Sequence, residues 1–368
     1  MKLTVAKEQL LNGLQSVQNV VSSRTTLPIL SNVLLRAGEG RLDLTATDLD
    51  VTISSAVAAE VKKEGTITLP VKKLVSIVRE LGEGDIDLEV DEKNGCKIKA
   101  GGSYYRMNGL AAEEFPPLPK FNESRSLTIA QETLKGMLRR TSFAVSTDET
   151  RYVLNGIFFS FKDHKFTMVA TDGRRLALTD EDVDFGDSAV EFIVPTKAIN
   201  ELNRLLQAGG EVEVSVTENQ ASFEIKAEGD LNTLVITKLV EGNYPNYRQV
   251  IPGEAGERIA LVREELLQAL RRAEIMTSEK SNSVKLAFTK NNLSITANTP
   301  DVGESRESMA VNYKGNDIAI AFNPAYMMDP LKALDHDEVF LELTDELSPG
   351  VIRTNGPFLY VIMPMRMS

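Results

Sequence analysis

VAKEQLLNGL (5–14), IAQETLKGML (129–138) and LVREELLQAL (261–270) align without a gap, and that alignment decides how the chain is built. Each has Glu at its fourth position: Glu8, Glu132 and Glu264. Each has Leu at its sixth and tenth: Leu10/Leu14, Leu134/Leu138 and Leu266/Leu270. Leucines four residues apart share one helical face, and an early carboxylate suits the positive end of the helix dipole. The spacing predicts three amphipathic helices at equivalent places in three copies of one unit.

Alternating strands follow each helix. LDLTATDLD (42–50) and FTMVATDGR (166–174) place Ala-Thr-Asp at the same distance from their helices, and LSITANTPD (293–301) is a degenerate third copy. A second helix recurs in LPVKKLVSIVREL (69–81), VPTKAINELNRLL (194–206) and FNPAYMMDPLKAL (322–334), ending on Leu81, Leu206 and Leu334. A proline stands near each start, where it costs little. Pro330, inside the third copy, is expected to shorten or kink that helix. Further strands follow, and each unit closes on an apolar residue and proline: Phe115-Pro116, Tyr244-Pro245 and Met363-Pro364. The fold class is therefore α+β, with three tandem domains over 1–120, 121–253 and 254–368. Each domain holds two half-units of strand, helix and strands, six in all. The boundaries fall in 113–126 and 243–258, which carry the Pro, Gly and Asn of connectors but are too short for floppy linkers.

At 368 residues the chain has room for two or three cores. The opening MKLTVAKEQLLNGLQ carries Lys2, Lys7 and Glu8, so it reads as neither a signal peptide nor a membrane span. No later apolar run approaches the length of a span, so no membrane partner is expected. The single cysteine, Cys96, rules out an internal disulfide framework and points to a reducing compartment, the cytoplasm.

A net charge of −12 argues at first against a nucleic-acid partner. The charge is uneven, however. The windows 71–81 and 130–146 each carry +2, and 196–207 carries +1. The other three helical windows are neutral, so everything outside the six helices holds −17. Charged helix faces are ordinarily just solvated. In a repeat, though, equivalent helices occupy equivalent positions, and their polar faces form a basic surface backed by acidic sheets. Such a surface holds a polyanion on one side only. Trp is absent, leaving no aromatic platform for single strands, so backbone contact with a duplex without base reading fits better.

The chain carries no GxxxxGK[ST], GxGxxG or GxSxG string, and its two histidines, His164 and His336, stand alone in unrelated repeats. No cofactor or metal is expected. Thr171-Asp172-Gly173-Arg174-Arg175-Leu176 admits two readings: a catalytic Asp with a paired Arg, or a strand-to-strand turn. Thr47-Asp48 at the equivalent place in the first unit favours the turn, and the chain is read as a scaffold, not an enzyme. Two adjacent arginines exceed what a turn requires and invite a binding role. The ending Val361-Ile362-Met363-Pro364-Met365-Arg366-Met367-Ser368 places methionines where polar residues are usual, and admits two readings. One is a strand that finishes a core, which covers Val361 and part of Met363; the other is an adaptable apolar groove, which is favoured for Met365 and Arg366.

SSRTTLPILSN (22–32), RYVLNGIFF (151–159), VATDGRRLAL (169–178), EGNYPNYRQVIP (241–252), TSEKSNSVKLAF (277–288) and YVIMPMRM (360–367) together closely resemble one family over essentially the whole chain. That family is the bacterial DNA polymerase III beta subunit, or beta sliding clamp. The resemblance implies a head-to-tail homodimer closed into a ring, with helices inside and sheets outside. It implies a processivity factor that encircles duplex DNA without reading sequence. Its partners would be a clamp-loader ATPase, the replicative polymerase and other proteins bearing a short clamp-binding peptide. By resemblance, the peptide groove comprises Arg151, Leu154, Thr171, Gly173, Arg174, Arg175, Leu176, Pro245, Val250, Tyr326, Met363, Pro364, Met365 and Arg366. DNA contacts fall to Arg24, Lys72, Lys73, Tyr152, Lys197 and Arg204. Tyr105 and Met107 are expected to face Ile275 and Met276 at the dimer interface. Arg174 stands where the family commonly has His, Gln249 where an Arg occurs, and Val153 where some relatives have an aromatic; Ser368 extends past the family's usual end.

Overall fold

The computed structural model describes residues 1–21, 27–119, 121, 125–183, 189–227, 231–253, 257–279, 281–300 and 302–366. Six α-helices occur among them: α1 Lys7–Val17, α2 Val71–Glu80, α3 Gln131–Thr141, α4 Thr196–Leu205, α5 Arg263–Glu274 and α6 Pro324–Ala333. All six paired leucines of α1, α3 and α5 are buried. Burial of each such side chain contributes roughly 1.5–3 kcal/mol, so the Leu spacing, more than helix propensity, fixes these elements.

Pro330 does not shorten its helix: α6 runs ten residues, as long as α2 and α4. A proline removes the N–H that would bond to the carbonyl four residues back, here Tyr326. The phenol of Tyr360, fully buried on the strand Phe358–Ile362, donates to that carbonyl at 2.8 Å instead. A side chain 30 residues downstream thus restores the bond. Tyr360→Phe is expected to cost about 1–2 kcal/mol of stability by orphaning the carbonyl. Adding Pro330→Ala, which resupplies a backbone donor, should recover most of that loss. Thermal unfolding of the two variants checks it, and no recovery in the double variant would refute the exchange.

The chain divides into two compact units, Met1–Lys135 with Lys197–Leu239, and Gly136–Thr196 with Val240–Ser368. In the first, an antiparallel sheet of eight strands runs in the order Arg125–Ala130, Glu211–Val216, Gln220–Ile225, Thr233–Lys238, Val51–Ala58, Arg41–Thr47, Asn32–Gly38 and Gly65–Pro70. In the second, the order is Val190–Pro195, Gly156–Lys162, Lys165–Thr171, Arg175–Asp182, Phe358–Ile362, Gly350–Arg353, Glu338–Leu343 and Glu257–Val262. The units therefore do not follow the repeats. Each large sheet joins the first half of one repeat to the second half of the next. The joint is the same ladder both times: the last strand of the later repeat pairs with the fourth strand of the earlier one. Val235 lies opposite Ile53 in the first unit, and Val361 opposite Leu176 in the second.

Two half-units remain without such a joint. In the first unit a five-stranded sheet ends on the edge strand Ser103–Asn108; in the second a four-stranded sheet ends on Gly303–Ala310. Tyr104 and Tyr105 are 55% and 40% exposed on the first edge. Alternate residues of the second are exposed along its whole length.

Candidate functional site

The turn between Lys165–Thr171 and Arg175–Asp182 is built by its own polar side chains. Asp172 Oδ1 accepts the backbone N–H groups of Arg174 at 2.9 Å and Arg175 at 3.1 Å. Thr171 Oγ1 accepts from the Gly173 N–H at 3.1 Å and donates to the Arg175 carbonyl at 2.6 Å. Gly173 takes φ +84°, and a Cβ there would approach Arg151 Nη1 to 2.7 Å. The positive φ of the turn favours glycine at this point, and a Cβ would also displace the Arg151 guanidinium. Arg151 in turn donates to the Asp172 carbonyl at 3.2 Å and faces the Asp148 carboxylate at 3.4 Å. The Asp148 carboxyl is held below the usual range by hydrogen bonds from the Thr150 hydroxyl and N–H, helped by Arg151.

The two arginines of the turn have different tasks. Arg175 is only 9% exposed. Its guanidinium donates to Asp172 Oδ2 at 3.1 Å, Asp329 Oδ2 at 2.5 Å and the Phe143 carbonyl at 2.6 Å, and lies 4.2 Å from the centre of the Tyr326 ring. It pins the turn to α6 and to the segment after α3. Burial pushes the phenol of the adjacent Tyr360 above its ordinary range, and Arg175 pulls in the opposite direction. Arg174 is exposed and forms no ion pair among the described residues.

The chain's last segment runs beside this turn. Arg175 pairs with Ile362, and the Met363 N–H bonds to the Arg174 carbonyl at 2.9 Å, carrying the ladder one step further. The Met365 N–H bonds to the Ala321 carbonyl at 2.7 Å. Met363 is left 45% exposed and Met365 38% exposed, with Pro364 half-buried and Arg366 exposed. Leu176 and Val361 belong to a buried cluster with Phe158, Val169 and Tyr247, against which Val153, Tyr244 and Ile251 pack. Tyr244 stacks on Phe158 at 4.9 Å between centroids. Those contacts fix the segment 244–251, which presents Pro245 and a half-exposed Val250. Leu154 is buried. A cavity of about 440 Å³ brings together Arg151, Arg174, Arg175 and Tyr326 with the loop 142–148. The arrangement offers exposed apolar side chains in front of a firm backbone and arginine frame. Among the described residues no group of three His, Cys, Asp or Glu side chains is placed to hold a metal.

The other candidate residues are scattered. Lys72 and Lys73 are exposed on α2 without an ion pair among the described residues, and Tyr152 is 59% exposed. Lys197 and Arg204 are already engaged. Lys197 pairs with Asp48, whose turn is the first repeat's counterpart of 171–175. Arg204 donates to the carbonyls of Gln15 at 3.1 Å and Ser16 at 2.6 Å in the last turn of α1, and to Glu201. A cation there satisfies orphan helix carbonyls, so its charge braces α1 against α4. Arg24 lies outside the described residues. Ile275, 74% exposed, and Met276 follow α5; the Met276 carbonyl accepts from Thr299 Oγ1 at 2.7 Å, on the strand next to the open edge 303–310. Sequence reasoning missed Asp329, Phe143 and Tyr360. The first had a signal, since Asp329 occupies the place of Glu201 in the aligned helices.

Three family models match successive parts of the chain: the DNA polymerase III beta subunit N-terminal domain at 1–119, its central domain at 128–246 and its C-terminal domain at 248–366. The beta sliding clamp of Chlamydia muridarum is 37% identical over 368 residues, covering 100% of this chain and 99% of the relative. That of Bacillus subtilis is 32% identical over 381 residues and is covered in full. Among solved structures, a sliding clamp (DNA polymerase III subunit beta) from Pseudomonas aeruginosa bound to griselimycin superposes with a TM-score of 0.95 at 35% identity, with both chains covered in full. The Bacillus subtilis DNA polymerase sliding clamp does so with 0.94 at 32%, again over both full lengths. The chain belongs to the DNA polymerase III beta subunit family, the beta sliding clamps.

Proposed function

We propose that two copies of this chain close head to tail around duplex DNA as a processivity clamp, which tethers the replicative polymerase and other proteins through the groove at 151–176, 245–250, 326 and 363–366. The pairing rule within each chain carries this reading. Both internal joints pair the last strand of one repeat with the fourth strand of another. Applied once more, the rule pairs Ser103–Asn108 of one copy with Gly303–Ala310 of the next. Tyr105, Met107, Ile275 and Met276 then close the joint. Made twice about a two-fold axis, it leaves neither of these two edges unpaired.

Three domains per copy, over 1–120, 121–253 and 254–368, give a ring of six, with the helices toward the DNA. Retention is topological, so the ring needs only weak, sequence-independent phosphate contacts. The free lysines Lys72 and Lys73 and the exposed Tyr152 supply these together with Arg24, while Lys197 and Arg204 add charge from braced positions. A closed ring must be opened to load, which calls for an ATPase partner. The clamp performs no reaction of its own and works in the cytoplasm; no helix among the described residues is long and apolar enough to cross a membrane. After loading, the protein is expected to stay on nicked circular duplex and to run off once the circle is linearised. Equal loss from circle and line, read by gel filtration of labelled protein, would refute encirclement.

A further inference from the structure

We propose that the polar cavity beside the groove receives a carboxylate carried by the bound peptide next to its apolar anchor, with Arg174 as the group that selects it. The inference rests on the groove reading above and names the class of partner that groove prefers. Three arginines line the cavity, and their charges are unequally spent. Arg175 is shared between Asp172 and Asp329, and Arg151 faces Asp148. Arg174 has no carboxylate partner among the described residues and stands exposed at the junction of cavity and groove.

Its backbone is fixed from both sides. The Arg174 N–H is held by Asp172 Oδ1, and its carbonyl by the Met363 N–H. The side chain is therefore the one free part of an anchored residue, directly beside an exposed methionine. A peptide whose apolar residues lie against Met363 and Met365 carries its flanking residues past this guanidinium. Ser142 and Thr147 on the facing loop add hydroxyls to the cavity. The chain carries net charge −12, so an acidic partner meets net repulsion from the molecule as a whole. A locally uncompensated arginine thus discriminates more by contrast than on a neutral surface. Guanidinium and carboxylate match as a charge-assisted, two-toothed pair, which a neutral amide of the same shape cannot copy.

Fluorescence anisotropy with labelled peptides of the Gln-Leu-x-Leu-Phe type tests this, placing a single Glu, or its Gln isostere, at each flanking position in turn. At one position the Glu peptide is expected to bind about threefold to tenfold tighter than its Gln twin, with the ratio shrinking as salt rises. Arg174→Ala should bring that ratio to one, whatever it does to absolute affinity, and Arg174→Lys should keep part of it. Both variants should melt with the wild type, since the side chain holds nothing in place. Glu and Gln twins that bind equally at every position would overturn the proposal and leave the groove standing. Failure of every peptide to bind the wild type would overturn the groove reading, and this inference with it.

Discussion

Arg175→Ala is expected to abolish peptide capture and to lower stability by about 3 kcal/mol, near the low end of the loss on breaking a buried ion pair. The variant removes a guanidinium that meets two carboxylates, a carbonyl and an aromatic ring within one small volume. Asp172 and Asp329, 15% and 27% exposed, keep some access to water, which places the loss at that end of the range. Asp172 also shapes the turn through its other oxygen, so the wall formed by Thr171, Gly173 and Arg174 is expected to loosen as well. Arg175→Lys should fail nearly as badly, because one ammonium cannot span three acceptors in a plane. Calorimetry should show an unfolding midpoint lower by roughly 6–12 °C. A variant that melts and binds peptide like the wild type would show that the turn stands without its arginine.

With the ring closed as proposed, Tyr105→Glu and Ile275→Asp, made separately, are each expected to convert it into single chains. Light scattering should report a mass falling from twice 40.5 kDa to 40.5 kDa, and retention on circular DNA should vanish. Each change puts a carboxylate on an apolar side chain that is exposed in the single chain, at 40% and 74%. The chain itself is expected to fold as before. The dimer, however, must bury that charge beside an acidic protein's edge, which weakens association about a hundredfold or more. A variant that keeps the doubled mass would place the interface elsewhere.

Elements with short-range causes were legible in the sequence. The leucines of α1, α3 and α5 announce buried faces by spacing alone, and Thr-Asp-Gly announces its turn. Contacts between distant residues were not. Pro330 reads as a helix breaker until Tyr360 is seen supplying the missing donor. Lys197 and Arg204 count as free positive charge in a composition window. In the fold one is paired with Asp48 and the other is spent on the carbonyls of α1 and on Glu201. A charge count over a helix therefore overstates what its surface offers a polyanion. In the groove, 171–176 and 363–366 each stood out as strings. Their union depends on the register that sets Leu176 against Val361, which neither string contains. The division of labour between Arg174 and Arg175 is equally a matter of which way each neighbour points.

The half-repeat stagger of the two large sheets has a consequence for how such a chain can change over time. A repeat here is not a removable cassette, because a cut at either connector strips a sheet of half its strands on both sides. Fragments ending at 120 or 253 should therefore be sticky and poorly soluble, even though the cut falls in a loop. Insertion of a whole repeat carries no such penalty: it fills one joint, creates another and leaves the two terminal edges untouched. The edges therefore govern how copies meet, and the number of repeats between them is open to revision.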